Sequence, residues 1–311
     1  MVQKVVLCGA GFLGSRIAET IISSSASRAV QLASRHPSAS HEKLGPNQHT
    51  DRLLAPVVVD ITKPDTLVSA MKDASVVVSL VGIMHGTEQD YERIQWRGAE
   101  NVAKATRQVG AKLIHISAIG ADPESNIPYA RTKALGEQAV LEACPDATII
   151  RPSLVFGPGD SFYQRFARLS AFLPFLPVFG GGTSRFQPVY SGDIARAVEI
   201  IARKNPATES KVAGKIIEAG GPEVFTYKEI MQQVLDYSGR RRSIVSLPFG
   251  IGIIQGAILE RLPVNLFTVT RDQIKQLKFD NVTTNDTLFN EILETEGFRL
   301  SSVHEVLPTY I

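Results

Sequence analysis

An α/β fold, a doubly wound parallel sheet with a smaller C-terminal α/β lobe, is what the 311 residues predict. A short apolar run stops at a glycine turn, and an apolar, alanine-containing stretch, Ser15 to Ile22, follows it. Strand-like and helix-like segments then alternate at a regular pitch with no internal repeat. One of the strand-like runs, Pro56 to Ile61 (PVVVDI), is near-continuously apolar, as a parallel strand covered on both faces should be.

The first element is Val5 to Gly14, VVLCGAGFLG, read as strand, tight turn and helix start. Gly9, Gly11 and Gly14 stand in the spacing G-x-G-x-x-G around Phe12 and Leu13. They serve the turn, the close approach of a pyrophosphate, and close helix–strand packing. The helix start offers free N–H groups and its positive dipole end to phosphates. An unrelated glycine turn has the same spacing, so the flanking strand and helix carry the dinucleotide reading.

Ala29 to Ser34 is the second strand. Its end lies where a dinucleotide ribose is read, and Ser34, Arg35 and His36 stand there in place of an acidic residue. A guanidinium beside a hydroxyl suits the 2′-phosphate of NADP(H) better than it suits NAD(H). Residues 37–55 read as a loop with room for one helical turn. The third strand, Pro56 to Ile61, ends in Asp60 and Ile61; Asp60 either accepts from an adenine amino group or caps the next helix. The fourth, Ser75 to Val81, stops at Gly82, where the backbone passes close to a cofactor. Tyr91 to Val109 is a helix whose Trp96 is expected to pack in the core. Lys112 to Ser117 is the fifth strand, with His115 read as a core histidine and Ser117 at the carboxyl edge where ligands bind.

Net charge, +2 from 33 Lys and Arg against 31 Asp and Glu, gives no field for nucleic acid. The run Arg240 to Arg242 is either a solvated turn or a lipid or phosphate patch. Two cysteines, Cys8 and Cys144, form no disulfide framework, and the histidines lack ligand spacing, so reduced thiols and no structural metal are expected. The first strand begins within a few residues of Met1, which leaves no room for a cleavable presequence. No apolar run approaches the ~20 residues of a membrane span.

The chemistry-bearing segment is Pro128 to Glu137, PYARTKALGE. Tyr129 and Lys133, four apart, share one helix face, and Ser117 arrives from the preceding strand. A lysine cation near a phenol favours the phenolate and tunes Tyr129 toward proton transfer, while Ser117 holds a carbonyl or hydroxyl oxygen. Lys133 is also placed to hold a nicotinamide ribose.

With GFLG, Ser117, Tyr129-x-x-x-Lys133 and RPSLVFG (Arg151 to Gly157) in view, the chain resembles the short-chain dehydrogenase/reductase superfamily, in its extended and atypical branches. HISAIGADPES, YARTKALGE, RPSLVFGPGDSF, GGGTSRFQPVY, EAGGPEVFTYKEIM, TRDQIKQLKFDNV and LPTY make it most similar to the complex I alpha-subcomplex accessory subunit nine family, with its fungal coenzyme Q biosynthesis relatives. The resemblance implies a Rossmann-like sheet, tightly held NADP(H), and a mitochondrial setting peripheral to the inner membrane near quinone chemistry. It also implies a respiratory or coenzyme Q biosynthetic complex as partner. It places Gly9, Gly11 and Gly14 at the cofactor, Arg35 at the phosphate, Tyr129 and Lys133 in the active site, and Arg151 and Pro152 at the nicotinamide end. Cys8 departs from it, since many relatives carry glycine there.

The C-terminal half is less explicit. SAFLPFLPVF, within Asp160 to Phe179, is an apolar substrate pocket or a lobe core. Gly180 to Gly182 form a turn; Val189 to Ala202 and the strand Gly214 to Ala219 return to the first domain. The expected division is therefore 1–160 and 161–311, with segments near 187–220 returning. Tyr227 to Tyr237 is a helix. Pro248 to Val269, apolar and glycine-broken, either meets a membrane interface or lipid-like substrate, or packs within its lobe. Three functions follow: an accessory or biosynthetic NADP(H)-binding factor, an active oxidoreductase on an apolar carbonyl, alcohol or quinone-like substrate, or an NADPH-sensing binding module.

Overall fold

The computed structural model describes every residue except Met1, Ala26, 46–49, Leu262, Val264, Asn285 and Asp286. The chain divides into two interleaved units. The first comprises Met1–Pro152, Ser191–Ala219 and Asn285–Arg299; the second comprises Ser153–Tyr190, Gly220–Thr284 and Leu300–Ile311.

The opening apolar run becomes β1 (Gln3–Cys8), whose Val5, Val6 and Leu7 are fully buried. Around it the first unit lays β2 (Arg28–Ser34), β3 (Val57–Val58), β4 (Ala74–Ser79), β5 (Lys112–Ile116), β6 (Thr148–Pro152) and β7 (Ile216–Ala219). The order is β7-β6-β5-β4-β1-β2-β3, every pair parallel, so all the carboxyl ends share one edge. That is a doubly wound, Rossmann-like sheet, as expected.

Helices cover it. In α1 (Phe12–Ser24) the buried positions Gly14, Ile17, Ala18, Ile21 and Ile22 recur at helical spacing and face α7 (Ser191–Ala202). A buried ion pair between Arg28 and Glu199 ties the start of β2 to α7. The first unit's other helices before α7 are α2 (Ser38–Leu44), α3 (Asp65–Ala70), α4 (Glu88–Tyr91), α5 (Arg97–Gln108) and α6 (Pro128–Ala143).

Several expectations are corrected. The third strand shrinks to two residues, and Val58 is 70% exposed. β3 is the edge of the sheet, paired among the described residues with β2 alone, and because exposed Val58 alternates with buried Val59 the apolar run is covered on one face. The 37–55 loop contains two turns of helix, α2. The helix expected from Tyr91 starts at Glu88 and contains a π segment, Glu92–Trp96. Within that segment Trp96 is only half-buried, with the Arg97 guanidinium 3.8 Å from its ring centroid, while neighbouring Gln95 takes the buried position.

The second unit has an aromatic core that includes Phe156, Tyr163, Phe186 and Tyr227. Its strand Phe175–Phe179 runs parallel to Ser243–Leu247. Leu176, Val178 and Phe179 are buried while Phe172 and Phe175 are exposed, so most of that stretch is lobe core. Arg240 donates to the carbonyl of Ala167 (2.6 Å) and Arg242 to that of Ser170 (3.3 Å); two of the three arginines thus brace a corner. The tail is anchored too, because the Tyr310 hydroxyl donates to buried Asp160 at 2.5 Å. Pro248 to Val269 contains α8 (Phe249–Leu259), followed by α9 (Arg271–Gln276).

Candidate functional site

The carboxyl edge of the first unit's sheet gathers the predicted residues. Gly9 leaves β1 with φ +135°, a conformation that disfavours any side chain. A Cβ on Gly14 would stand 2.1 Å from the Gly9 carbonyl oxygen, so α1 and the turn touch only because both are glycine. A Cβ on Gly11 would meet no protein atom within 4 Å. Gly11 is also the N-cap, and no side chain caps the helix. Uncapped N–H groups of Phe12, Leu13 and Gly14, beside a glycine with open space, form a cradle of the kind a pyrophosphate fits. Cys8 lies in extended backbone and is not strained, and burial pushes its thiol up to about 12. The departure at Cys8 thus leaves the turn intact.

At the end of β2, Ser34 is half-buried and Arg35 exposed, with no ion pair recorded for Arg35 among the described residues. Asp60 does not cap α3, whose N-cap is Pro64. Its carboxylate instead accepts from Thr62 Oγ1 (2.8 Å) and Thr62 N (3.0 Å), and these bonds, aided by the charges of Lys63 and Arg35, hold it below the ordinary range. Ile61 packs beneath Gly98, where a Cβ would approach Ile61 Cδ1 at 2.8 Å.

Lys133 is the most constrained of the three candidate catalytic residues. Its Nζ donates to the carbonyls of Val81 (2.8 Å) and Ile116 (3.2 Å), the chain just beyond β4 and the last residue of β5. Burial pushes it down to about 8, partly opposed by the carboxylate of Glu137 one turn on. A Cβ on Gly82 would sit 3.1 Å from that Nζ, so the glycine makes room for the lysine. Ser117, the residue after Ile116, has a buried Oγ with no hydrogen-bond partner among the described residues. An orphaned hydroxyl of this kind is a group that a bound oxygen would satisfy.

Tyr129 stands one turn before Lys133, packed edge-on against Tyr91 with ring centroids 6.1 Å apart. Its phenol is not lowered by the lysine as expected: burial pushes it up to about 12. His115 is a core residue, neutral because burial pushes it down to about 3, with Nδ1 3.0 Å from Ser79 Oγ. Arg151 makes a forked pair with buried Glu137 at 2.8 and 2.5 Å. Pro152 is buried at the end of β6 and accepts from Ile119 N at 3.0 Å.

One residue escaped the sequence reading. Gln95, in the π segment, donates to Thr132 Oγ1 (3.0 Å) and the Tyr129 carbonyl (3.4 Å), and accepts from Ile83 N (3.4 Å). It fastens the loop after β4 to the first turn of α6, and so sets where Tyr129 and Lys133 stand. A lone glutamine before a tryptophan gives no signal of this; only the local π turn, a common marker of functional sites, does.

Residues 5–220 match the model of the NAD dependent epimerase/dehydratase family. The chain is 31% identical over 297 residues to NADH dehydrogenase (ubiquinone) 1 alpha subcomplex subunit 9, mitochondrial, of Arabidopsis thaliana, covering 93% of this chain and 71% of that protein. It is 30% identical over 205 residues to a ceramide reductase of Caulobacter vibrioides, covering 66% of this chain and 63% of that one. Among solved structures, a Citrobacter sp. triphenylmethane reductase complexed with NADP(H) superposes with a TM-score of 0.73 at 17% identity, over 99% of this chain and all of that one.

Proposed function

The chain belongs to the NAD dependent epimerase/dehydratase family, and on that premise we propose that it holds NADP(H) in an accessory or biosynthetic role around mitochondrial ubiquinone metabolism or complex I, peripheral to the inner membrane. The likeness to the Arabidopsis complex I subunit supports the setting. The phosphate preference rests on Arg35, an exposed guanidinium at the ribose-reading end of β2, where an acidic residue would select NAD(H). Asp60 nearby is held as a carboxylate by Thr62, so it answers the adenine side of the site and leaves the phosphate to Arg35 and Ser34.

The cofactor supplies hydride transfer when bound. The chain's own residues supply the rest. The N-terminus of α1 and the glycine turn take the pyrophosphate, and Val81, Gly82 and Pro152 form the backbone edge beyond β4 and β6. Lys133, an ammonium at neutral pH, is fixed by two carbonyls and acts as a rigid post that orients the ribose. Ser117 Oγ, without a partner among the described residues, is left to hold a substrate oxygen. Tyr129 keeps its phenolic proton throughout the physiological range and enters as a proton donor.

A second reading, an active oxidoreductase on an apolar carbonyl, alcohol or quinone-like substrate, is favoured by that intact set and by the likeness to a ceramide reductase. Native mass spectrometry of gently purified protein, with assay of released nucleotide and lipid, separates the two. Nucleotide that survives purification and resists oxidation or reduction by quinones supports the accessory role; exchangeable nucleotide with a co-purified lipid supports the enzyme. Arg35→Ala should weaken NADPH by about tenfold or more, the worth of a charged hydrogen bond, while NADH changes little. Equal losses for both nucleotides would remove the phosphate assignment.

A further inference from the structure

Helix α8 (Phe249–Leu259, FGIGIIQGAIL) is apolar all round, a composition that normally belongs to a buried helix. Its buried residues are nevertheless its glycines. Gly252 lies against Phe179 and Ile274, where a Cβ would come within 2.6 Å of the Phe179 ring, and Gly256 lies against the backbone of Arg271. The glycine face seats the helix, and the isoleucines therefore point outward: Ile251 is 50% exposed, Ile254 66% and Ile258 56%. Spaced i, i+3 and i+7, they form one continuous ridge. Phe267 and Phe279, in the same stretch of chain, are exposed as well.

The charges around this ridge are one-sided. Between Phe249 and Phe279 the only carboxylates are Glu260 and Asp272, and both are paired, with Arg271 at 2.9 Å and with Lys275 at 3.4 Å. Arg261, just past the C-terminal end of α8, and Lys278, 5.2 Å from the Phe249 ring at its N-terminal end, have no anionic partner among the described residues. At 11 residues the helix is ~16 Å long, too short to cross a bilayer. An aliphatic ridge with a free cation at each end, and Gln255 as its only polar side chain, matches a surface that is apolar within and anionic at its rim. It offers little of the hydrogen-bonding detail by which a protein partner is recognised.

We propose that the Ile251, Ile254 and Ile258 face of α8, with Arg261 and Lys278, is a docking surface for an anionic phospholipid bilayer, the helix lying in the plane of the interface. This deepens the peripheral placement proposed above, yet it stands on the second unit alone and is tested apart from any organelle or nucleotide.

The test is flotation of the full chain with vesicles of phosphatidylcholine alone, or with about a quarter phosphatidylglycerol, at two salt concentrations. Binding should favour the anionic vesicles and weaken with salt. Replacing Arg261 and Lys278 by Gln should lower it by about fivefold for each charge. The pair Ile254→Ser and Ile258→Ser should lower it by at least about tenfold. Circular dichroism should be unchanged in both variants, because these side chains are exposed. Three outcomes each overturn the proposal: no flotation of the unsubstituted chain, isoleucine variants that float as well as it does, or a salt-insensitive dimer that Ile254→Ser dissolves, which would make a second copy the occupant.

Discussion

Lys133 gives the fold a pH signature. Unfolded, its ammonium keeps its proton up to about the ordinary value of 10.5; folded, burial brings that down to about 8. Between these two values the unfolded chain binds more protons than the folded one, so this residue makes stability rise with pH. Below pH 8 its cost is constant, and it is relieved by about 1.4 kcal/mol per pH unit above that. At pH 9.5 the relief amounts to roughly 2 kcal/mol. Other groups titrate in the same range, so the quantity to follow is a difference: urea unfolding of the unsubstituted chain against Lys133→Met, at pH 7 and at pH 9.5. Methionine fills the same channel and carries no charge, but it leaves the Val81 and Ile116 carbonyls without their donor at either pH. The gap between the two proteins should therefore move by roughly 2 kcal/mol in favour of lysine as the pH rises. A gap that stays constant would mean that Lys133 is not held in a low-dielectric site, and the role of a rigid, desolvated post would fall with it.

Two further outcomes follow from the site. Tyr129→Phe removes a hydroxyl that makes no hydrogen bond among the described residues, so stability and NADPH affinity should stay within about 0.5 kcal/mol; loss of any measured turnover with binding preserved would mark the proton donor, while full turnover would exclude it. Gly14→Ala forces a methyl onto the Gly9 carbonyl and should cost about 1–3 kcal/mol as overpacking, together with nucleotide affinity; thermal unfolding and nucleotide titration with parental values would show that the turn is looser than described.

What was legible in the sequence is what local residue types dictate. Gly9, Gly11 and Gly14 announce a turn because only glycine tolerates that backbone and that contact, and the order Ser117, Tyr129, Lys133 is a linear signal. What stayed hidden depends on neighbours. PVVVDI reads as an interior strand, yet it became an edge, because an apolar run does not say how many strands lie beyond it. The Tyr129 phenol was expected to be lowered by Lys133, but burial, which depends on what the fold packs around the ring, pushes it up. Trp96 yields its expected buried position to Gln95 because the π segment rotates the helix by a step that no hydrophobic period records. At α8 the hydrophobic pattern marked an unusual apolar stretch broken by glycines and could not say that glycine, the residue without a side chain, would be the inner face of a helix.

The interleaving of the two units bears on the order in which the protein can be completed. During synthesis the first unit is begun before the second and closed late. β6 waits for its outer neighbour until β7 has followed the segment Ser153–Tyr190, which belongs to the other unit. Even then α7 lacks its last partners: Arg203 bonds Glu296 at 2.7 Å, and the Arg196 guanidinium lies 5.0 Å from the Phe298 ring centroid. Until residues 285–299 are released, the nucleotide-binding half is a nascent intermediate with an unsealed flank, exposed to chaperones and proteases while the other half is still being translated.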